Sequence, residues 1–289
     1  MYAILSNMAG RNNNLLNRLE RELPEGLLAH SAWFRKKGYS RQLLNHYVST
    51  GWLEQPARGL FRRPRGTLSW QQVVISLQTI LLDHPFIVGG RTALDLQGYA
   101  HFLPQQTKEV HLYGPYPLPT WLDKLPLDVR FVHHNSRKLF KNDPITYGIS
   151  SLTVNVLAHA SSSNDPLQHG LTVQSWGPWD WHLTLSTPER AILELLDELP
   201  QHESFHQVDK LMEGLTNLSP RRLQKLLVDC HSVKVKRLFL FFADRHTHAW
   251  FKQLKKDQID LGTGNRMLVK GGKLDRTYQI TVPEDLGAL

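Results

Sequence analysis

Residues 88–113 hold the pattern closest to catalytic chemistry. Val88-Gly89-Gly90-Arg91-Thr92-Ala93-Leu94 has the form of a glycine turn opening a helix, the arrangement that cradles phosphate in nucleotidyltransferases. Glu109-Val110-His111-Leu112-Tyr113 has the form of the strand that would follow it. A working enzyme of that kind holds Mg²⁺ between two carboxylates on the strand. Here the second position is His111, and an imidazole beside one acid suits a hard cation poorly. The 18 residues between Gly90 and Glu109 are also long for the motif. The pattern is either coincidence or a nucleotidyltransferase core that keeps the fold without the metal chemistry.

Other strings fit chemistry less well. His202-Glu203-Ser204-Phe205-His206 matches the HExxH of zinc proteases, but its helix would have to start beside Pro200. Glu213 follows too closely to supply the third ligand. His133-His134 and His246-Thr247-His248 lack acid or thiol companions at ligand spacing. Gly271-Gly272-Lys273 has Leu274 where a P-loop needs Ser or Thr, and Gly262-Thr263-Gly264 is too short for a dinucleotide fingerprint. Cys230 is the single cysteine, which excludes an internal disulfide and fits a reducing compartment. It stands near a helix end beside Asp229 and reads as a core or boundary residue. No catalytic residue, metal or cofactor is assigned from the sequence.

Charge points elsewhere. Of a formal net charge of +8, residues 1–66 carry +7, from 11 Lys/Arg against four acids. The remaining 223 residues are almost neutral, with 23 basic and 22 acidic groups. A small basic module on a larger neutral body suits a polyanion, above all nucleic acid.

The spacing within that module predicts the elements that would present it. A helix over residues 13–23 has Leu15, Leu16, Leu19 and Leu23 on one face and stops at Pro24. Ser31 should cap a short helix, Ala32 to Lys37, ended by Gly38. Ser40 should cap a third helix, Arg41 to Ser49. Its Leu43, Leu44, Tyr47 and Val48 fall inward, leaving Arg41, Gln42, Asn45 and His46 outside. A hairpin should follow: Trp52 to Gln55, a Pro56-Ala57-Arg58-Gly59 turn, and Leu60 to Arg62. Two helices about a glycine turn and then a hairpin make a winged helix-turn-helix. Arg41, Gln42, Asn45 and His46 would read base edges. Arg35, Lys36, Lys37, Ser40, Arg58, Arg62 and Arg63 would contact the DNA backbone or a minor groove.

Past Pro64–Thr67 the chain predicts a second, larger domain, 67–289, of mixed α/β type, so the whole is α+β with the winged helix at residues 1–66. Ser69-Trp70-Gln71-Gln72 resembles a capping box opening an apolar helix, Trp70 to Asp83. Strands are expected at 86–88, 109–113, 129–133, 152–157, 171–174 and 181–185, with helices across 187–256. The tail should be a hairpin of Arg266 to Lys270 and Tyr278 to Val282 about Gly271-Gly272. A second basic set, Arg221, Arg222, Lys225, Lys234, Lys236 and Arg237, is a candidate surface for RNA or an acidic protein. No stretch approaches membrane-spanning length, and Met1 to Gly10 lacks the features of a signal peptide, so a soluble cytoplasmic protein without membrane contact is expected.

Several segments in order resemble one family. Arg58-Gly-Leu-Phe-Arg-Arg-Pro64, Val88-Gly-Gly-Arg-Thr-Ala-Leu94 and Thr187-Pro-Glu-Arg-Ala-Ile-Leu-Glu-Leu-Leu196 look like the AbiEi group of bacterial antitoxins. So do Ser232-Val-Lys-Val-Lys-Arg-Leu-Phe-Leu240, Asp260-Leu-Gly-Thr-Gly-Asn-Arg266 and Gly271-Gly-Lys-Leu-Asp275. The resemblance implies a product of a type IV, abortive-infection toxin–antitoxin operon serving phage defence. Its winged helix would repress that operon at inverted repeats in the promoter DNA. Its C-terminal domain, with the second basic set as the possible antitoxin surface, would neutralise a nucleotidyltransferase toxin without a stable complex. A nucleic-acid-modifying enzyme of nucleotidyltransferase type, or an inactive relative of one, is the alternative.

Overall fold

The computed structural model describes residues 14–81, 85–99, 107–142, 145, 169–177 and 181–286. The expected strand at 152–157 lies outside them. Helix α1 covers residues 14–22 and leads to β1 (Leu28–His30), α2 (Ser31–Lys36), α3 (Arg41–Ser49), β2 (Glu54–Ala57) and β3 (Leu60–Arg62). The three strands form one antiparallel sheet in the order β1-β3-β2, which is the wing of a winged helix. Its core is Leu19, Leu23, Phe34, Tyr39, Leu44, Tyr47, Leu53 and Phe61, with Phe34 edge-on to both Tyr39 and Phe61.

Caps set the two central helices. Ser40 accepts a hydrogen bond from Leu43 N–H at 3.1 Å and starts α3 where the spacing predicts. For α2 the cap is His30, whose Nδ1 accepts from Trp33 N–H, rather than Ser31. The cause is β1, which carries the chain into the helix one residue earlier. Gly38, at φ 87°, makes the left-handed turn between the helices. The hairpin turn is the pair Arg58-Gly59, with Gly59 at φ 78°, so Pro56 sits within β2 instead of in the turn. Pro is tolerated there because β2 is an edge strand.

The larger body opens with α4 (Trp70–Ser76), closed by the expected capping box between Ser69 and Gln72, and continues as a wider turn over Leu77–Leu81. Then follow β4 (Ile87–Val88), α5 (Gly90–Leu96), β5 (Glu109–Gly114), β6 (Arg130–Asn135), β7 (Leu171–Trp176) and β8 (Trp181–Ser186). The five strands make one mixed sheet, ordered β6-β5-β4-β8-β7. β4 runs antiparallel to β5 and parallel to β8, and β5 runs parallel to β6. Among the described residues the helices that follow are α6 (Pro188–Asp197), α7 (Phe205–Gly214), α8 (Pro220–Asp229) and α9 (Val233–His246). α6 lies between α5, α8 and α9 and is buried on nearly every side. Cys230 is buried there too, its thiol pushed up to about 11 by desolvation.

The tail differs from the expected hairpin. β9 is Lys273–Asp275, after the two glycines, and pairs antiparallel with β10 (Ile280–Val282). Arg266 makes one parallel bridge to Ile280 instead of entering a hairpin. Gly272 is pressed onto the carbonyl of Val282, where an added Cβ would come within 2.3 Å, so it serves close packing, while Gly271 at φ 76° makes the left-handed turn before it.

The winged helix is not a free appendage. Leu27, Leu28 and Leu60 belong to the core of the larger body along with Trp70, Val73 and Val74. Leu28 N–H also donates to the Ser76 hydroxyl at 2.8 Å. Leu28→Ala therefore removes packing at the junction as well as in the sheet. It should cost about 2–5 kcal/mol, the range for a buried Leu truncation, seen as a lowered urea midpoint of the full chain.

Candidate nucleic-acid interface

The outer face of α3 is built as the spacing predicts. Leu44 and Tyr47 are buried, Leu43 and Val48 half-buried, and Arg41, Gln42, Asn45 and His46 exposed. Arg35 and Lys36 are exposed at the end of α2, and Arg58 is exposed at the tip of the wing. No ion pair among the described residues engages Arg35, Lys36, Arg41 or Arg58. The Ser40 side chain is spent on capping α3.

Other cations of the module hold the fold. Arg62 is 4% exposed and sits between the Glu54 carboxylate at 2.6 Å and the Gly66 carbonyl at 2.6 Å. Its placement corrects the expectation of a phosphate contact there, because β3 is the central strand and turns this side chain inward. Arg63 donates to the carbonyls of Glu20 and Leu23 and pairs with Glu25 at 3.1 Å, which Arg65 shares at 2.9 Å. Lys37 pairs with Glu22 at 2.7 Å over the Trp33 ring. These pairs fasten α1 to α2 and the wing.

The second basic set is likewise divided. Arg221 and Lys225 are exposed on α8. Arg222 is drawn to Glu189 at 2.9 Å, and Lys234 to the backbone carbonyls of Asp197 and Leu199. Lys236 and Arg237 are buried on α9, at 4% and 1% exposure, which corrects their assignment to a surface. Arg237 donates to the carbonyls of Leu261 at 2.7 Å, Gly264 at 2.6 Å and Gln279 at 3.1 Å, and so ties the tail to α9. The set does not face one way.

The glycine turn of the larger body is filled by the protein itself. Gly90 N–H donates to Glu194 Oε2 at 2.9 Å, so a carboxylate of α6 occupies the place of a phosphate at the start of α5. Tyr113 lies against the same turn, and a Cβ on Gly89 would come within 2.4 Å of both that carboxylate and the Tyr113 ring. Glu194 is fully buried and also takes hydrogen bonds from Arg190 at 2.8 Å and Ser186 at 3.0 Å. Glu109 is turned outward to Arg130, its cross-strand neighbour on β6.

His111 joins a chain of hydrogen bonds at the floor of an open cleft of about 1440 Å³. His111 Nδ1 lies 2.9 Å from His134 Nε2, and His134 Nδ1 lies 2.9 Å from Glu198. Burial, and then the charge of His134, pull His111 down to about 4, so it is neutral at physiological pH. Burial would raise the Glu198 carboxyl, but its hydrogen bond to His134 and the neighbouring imidazoles outweigh that and lower it. Nothing in the sequence joins these three residues, which come from β5, β6 and the end of α6. His202 also lines the cleft but stands in a turn, Glu203 pairs with Arg91, and His206 pairs with Asp285. The HExxH string therefore forms no helical ligand pair. His246 and His248 are held by Asp209 and the Met212 carbonyl.

Two family models together span nearly the whole chain: a transcriptional regulator, AbiEi antitoxin N-terminal domain, over residues 12–105, and a transcriptional regulator, AbiEi antitoxin of a type IV toxin–antitoxin system, over residues 107–283. The chain belongs to the AbiEi antitoxin family. The resemblance seen in the sequence is thereby borne out, and with it the role of antitoxin and transcriptional regulator. No curated protein matches the chain. A crystal structure of the RV2827C protein from Mycobacterium tuberculosis shares the fold, with a TM-score of 0.54 at 16% identity over 92% of this chain and 89% of that one. Two family-like segments now have a physical reason in this AbiEi-family chain. In Thr187–Leu196, Glu189 holds the start of α8 through Ser219 N–H, and the Arg190–Glu194 pair holds the start of α5. In Asp260–Arg266, the carbonyls of Leu261 and Gly264 receive Arg237.

The low value of His111 gives a pH signature. As pH falls through about 6.5, the unfolded chain takes up this proton first, while the folded chain holds out to about 4. The contribution is complete above the ordinary value of 6.5 and is lost toward pH 4, at up to about 1.4 kcal/mol per unit. His111→Gln should flatten the stability profile between those limits, measured by urea titrations at a series of pH values.

Proposed function

We propose that this AbiEi-family protein represses its own toxin–antitoxin operon by seating α3 in the major groove of inverted repeats, and that the larger body neutralises a nucleotidyltransferase toxin without a lasting complex. The observation that carries the DNA reading is the coincidence on one face of Arg41, Gln42, Asn45 and His46, exposed and borne by a capped helix, with the exposed Arg58 at the wing tip. Arg can engage guanine O6 and N7, and Asn or Gln can engage adenine N6 and N7. Arg35, Lys36 and Arg58 would supply phosphate contacts. Residues 1–66 form the reading head and residues 67–289 the antitoxin body, joined through the shared core at Leu28. Such a regulator works where its operon is, in the cytoplasm. The helices described include none long and apolar enough to cross a membrane.

The body acts without catalysis in this proposal. The supporting observation is the self-filled turn: Glu194 and Tyr113 take the space a triphosphate would need, and Glu109 and His111 are committed to Arg130 and His134. Incubation with labelled nucleoside triphosphates, Mg²⁺ and total RNA should give no incorporation. Incorporation that Glu109→Gln abolishes would replace this proposal with the nucleotidyltransferase alternative.

The division of cations makes the DNA reading testable. Arg41→Ala or Asn45→Ala should cost about 1–3 kcal/mol on operator and relax preference at one position of each half-site. Arg58→Ala should weaken binding to every sequence and make the salt dependence shallower. Mobility shifts at two salt concentrations measure both. Operator preference unchanged in Arg41→Ala would exclude a base-reading role for that residue.

A further inference from the structure

Two adjoining hollows run along the outer face of α8. The larger, about 620 Å³, lies between α8 and the turn after Phe251–Gln253 and is lined by Arg221, Lys225 and Lys255 among others. The smaller, about 290 Å³, adds Lys141. Lys225 and Val228 belong to both, so the hollows make one groove. All four cations are exposed. Asp229 is the one acid in the lining among the described residues, and it is engaged by the chain itself, accepting from the Asn142 backbone N–H at 3.1 Å and its side-chain amide at 2.7 Å.

Three features narrow the occupant. First, Val228 is 45% exposed in the middle of the cations, one of few large apolar side chains so placed among the described residues. Second, no Phe, Tyr or Trp lines either hollow among those residues; the one ring there is the half-buried imidazole of His169 in the smaller hollow, so a run of unpaired bases finds no aromatic platform. Third, the walls are fixed before anything binds. The Gln224 side chain accepts from Lys255 N–H at 2.9 Å and donates to the Lys255 carbonyl at 3.2 Å, clamping the turn to the helix. The groove also stands apart from the reading head, since α8 packs on α6 whereas β1 packs on α4.

We propose that this groove docks an acidic segment of a partner protein, carboxylates set against Arg221, Lys225, Lys255 and Lys141 and an apolar side chain seated on Val228. The proposal does not depend on how the winged helix reads DNA. Opposite charge around a small apolar contact gives fast, salt-sensitive and modest binding, which suits a transient contact.

Fluorescence anisotropy with the full chain tests it, using a labelled peptide of about 12 residues with Glu and Asp flanking a central Leu pair, an oligouridine of similar length and a random duplex of about 20 base pairs. The peptide should bind at low salt and weaken as salt rises. The double substitution Arg221→Glu with Lys255→Glu should lower its affinity about tenfold or more, and Val228→Asp should weaken it too. Operator retardation by the same variants should be unchanged, which separates this result from any failure of the DNA reading. No peptide binding, or binding indifferent to these substitutions, overturns the proposal. So does tighter binding of oligouridine or duplex lost in the same variants, which would make the groove a nucleic-acid surface.

Discussion

A single buried carboxylate organises the larger body. Glu194 is inaccessible to solvent, which pushes its carboxyl up, and three donors from three elements converge on it and counter that burial. Arg190 comes from its own helix, Ser186 from the end of β8 and Gly90 N–H from the start of α5. The arrangement fixes α6 against the sheet and sets the direction of α5. It also explains two glycines in succession, since a side chain at Gly89 would collide with the carboxylate or the Tyr113 ring, and Gly90 stands at φ 51° against the Tyr113 hydroxyl. A turn that could cradle a ligand phosphate is thus used as internal architecture.

The same economy governs the cations. Arg190 and Arg237 are buried and reach the backbone carbonyls of His169 and of Leu261, Gly264 and Gln279, so they join segments distant in sequence, whereas the buried Arg62 reaches the nearby Glu54 and Gly66 and keeps its Nη1 without a hydrogen-bond partner among the described residues. A guanidinium suits this task because its planar fork reaches several oxygens at once and stays charged when buried. Exposed cations remain on the α3–wing surface and along the α8 groove, and others stand on the tail, among them Arg266, Lys270, Lys273 and Arg276.

The winged helix and the body share apolar packing at Leu28 and Leu60, and the Leu28 amide is tied to Ser76. A head anchored in this way presents α3 at a fixed attitude to the body. The match to the N-terminal family model runs on to residue 105, well past the end of the wing. Coupling of the head to α4 gives that longer unit a physical basis.

Local signals were legible in the sequence. Ser40 and Ser69 announce α3 and α4 because a cap acts within three residues, and the spacing of Leu44 and Tyr47 fixes which face of α3 is outward. Charge asymmetry pointed to a basic winged helix, and the order of the family-like segments pointed to the family. Strand β1 was missed because Leu28–His30 is too short to show a period, and its presence moved the cap of α2 to His30. The fates of Arg62, Lys236 and Arg237, the plug at Gly90 and the chain from His111 to Glu198 were decided by tertiary structure alone. Each depends on a partner tens of residues away or on which strand is central, and residue type is the same whether a charge faces water or a buried carbonyl.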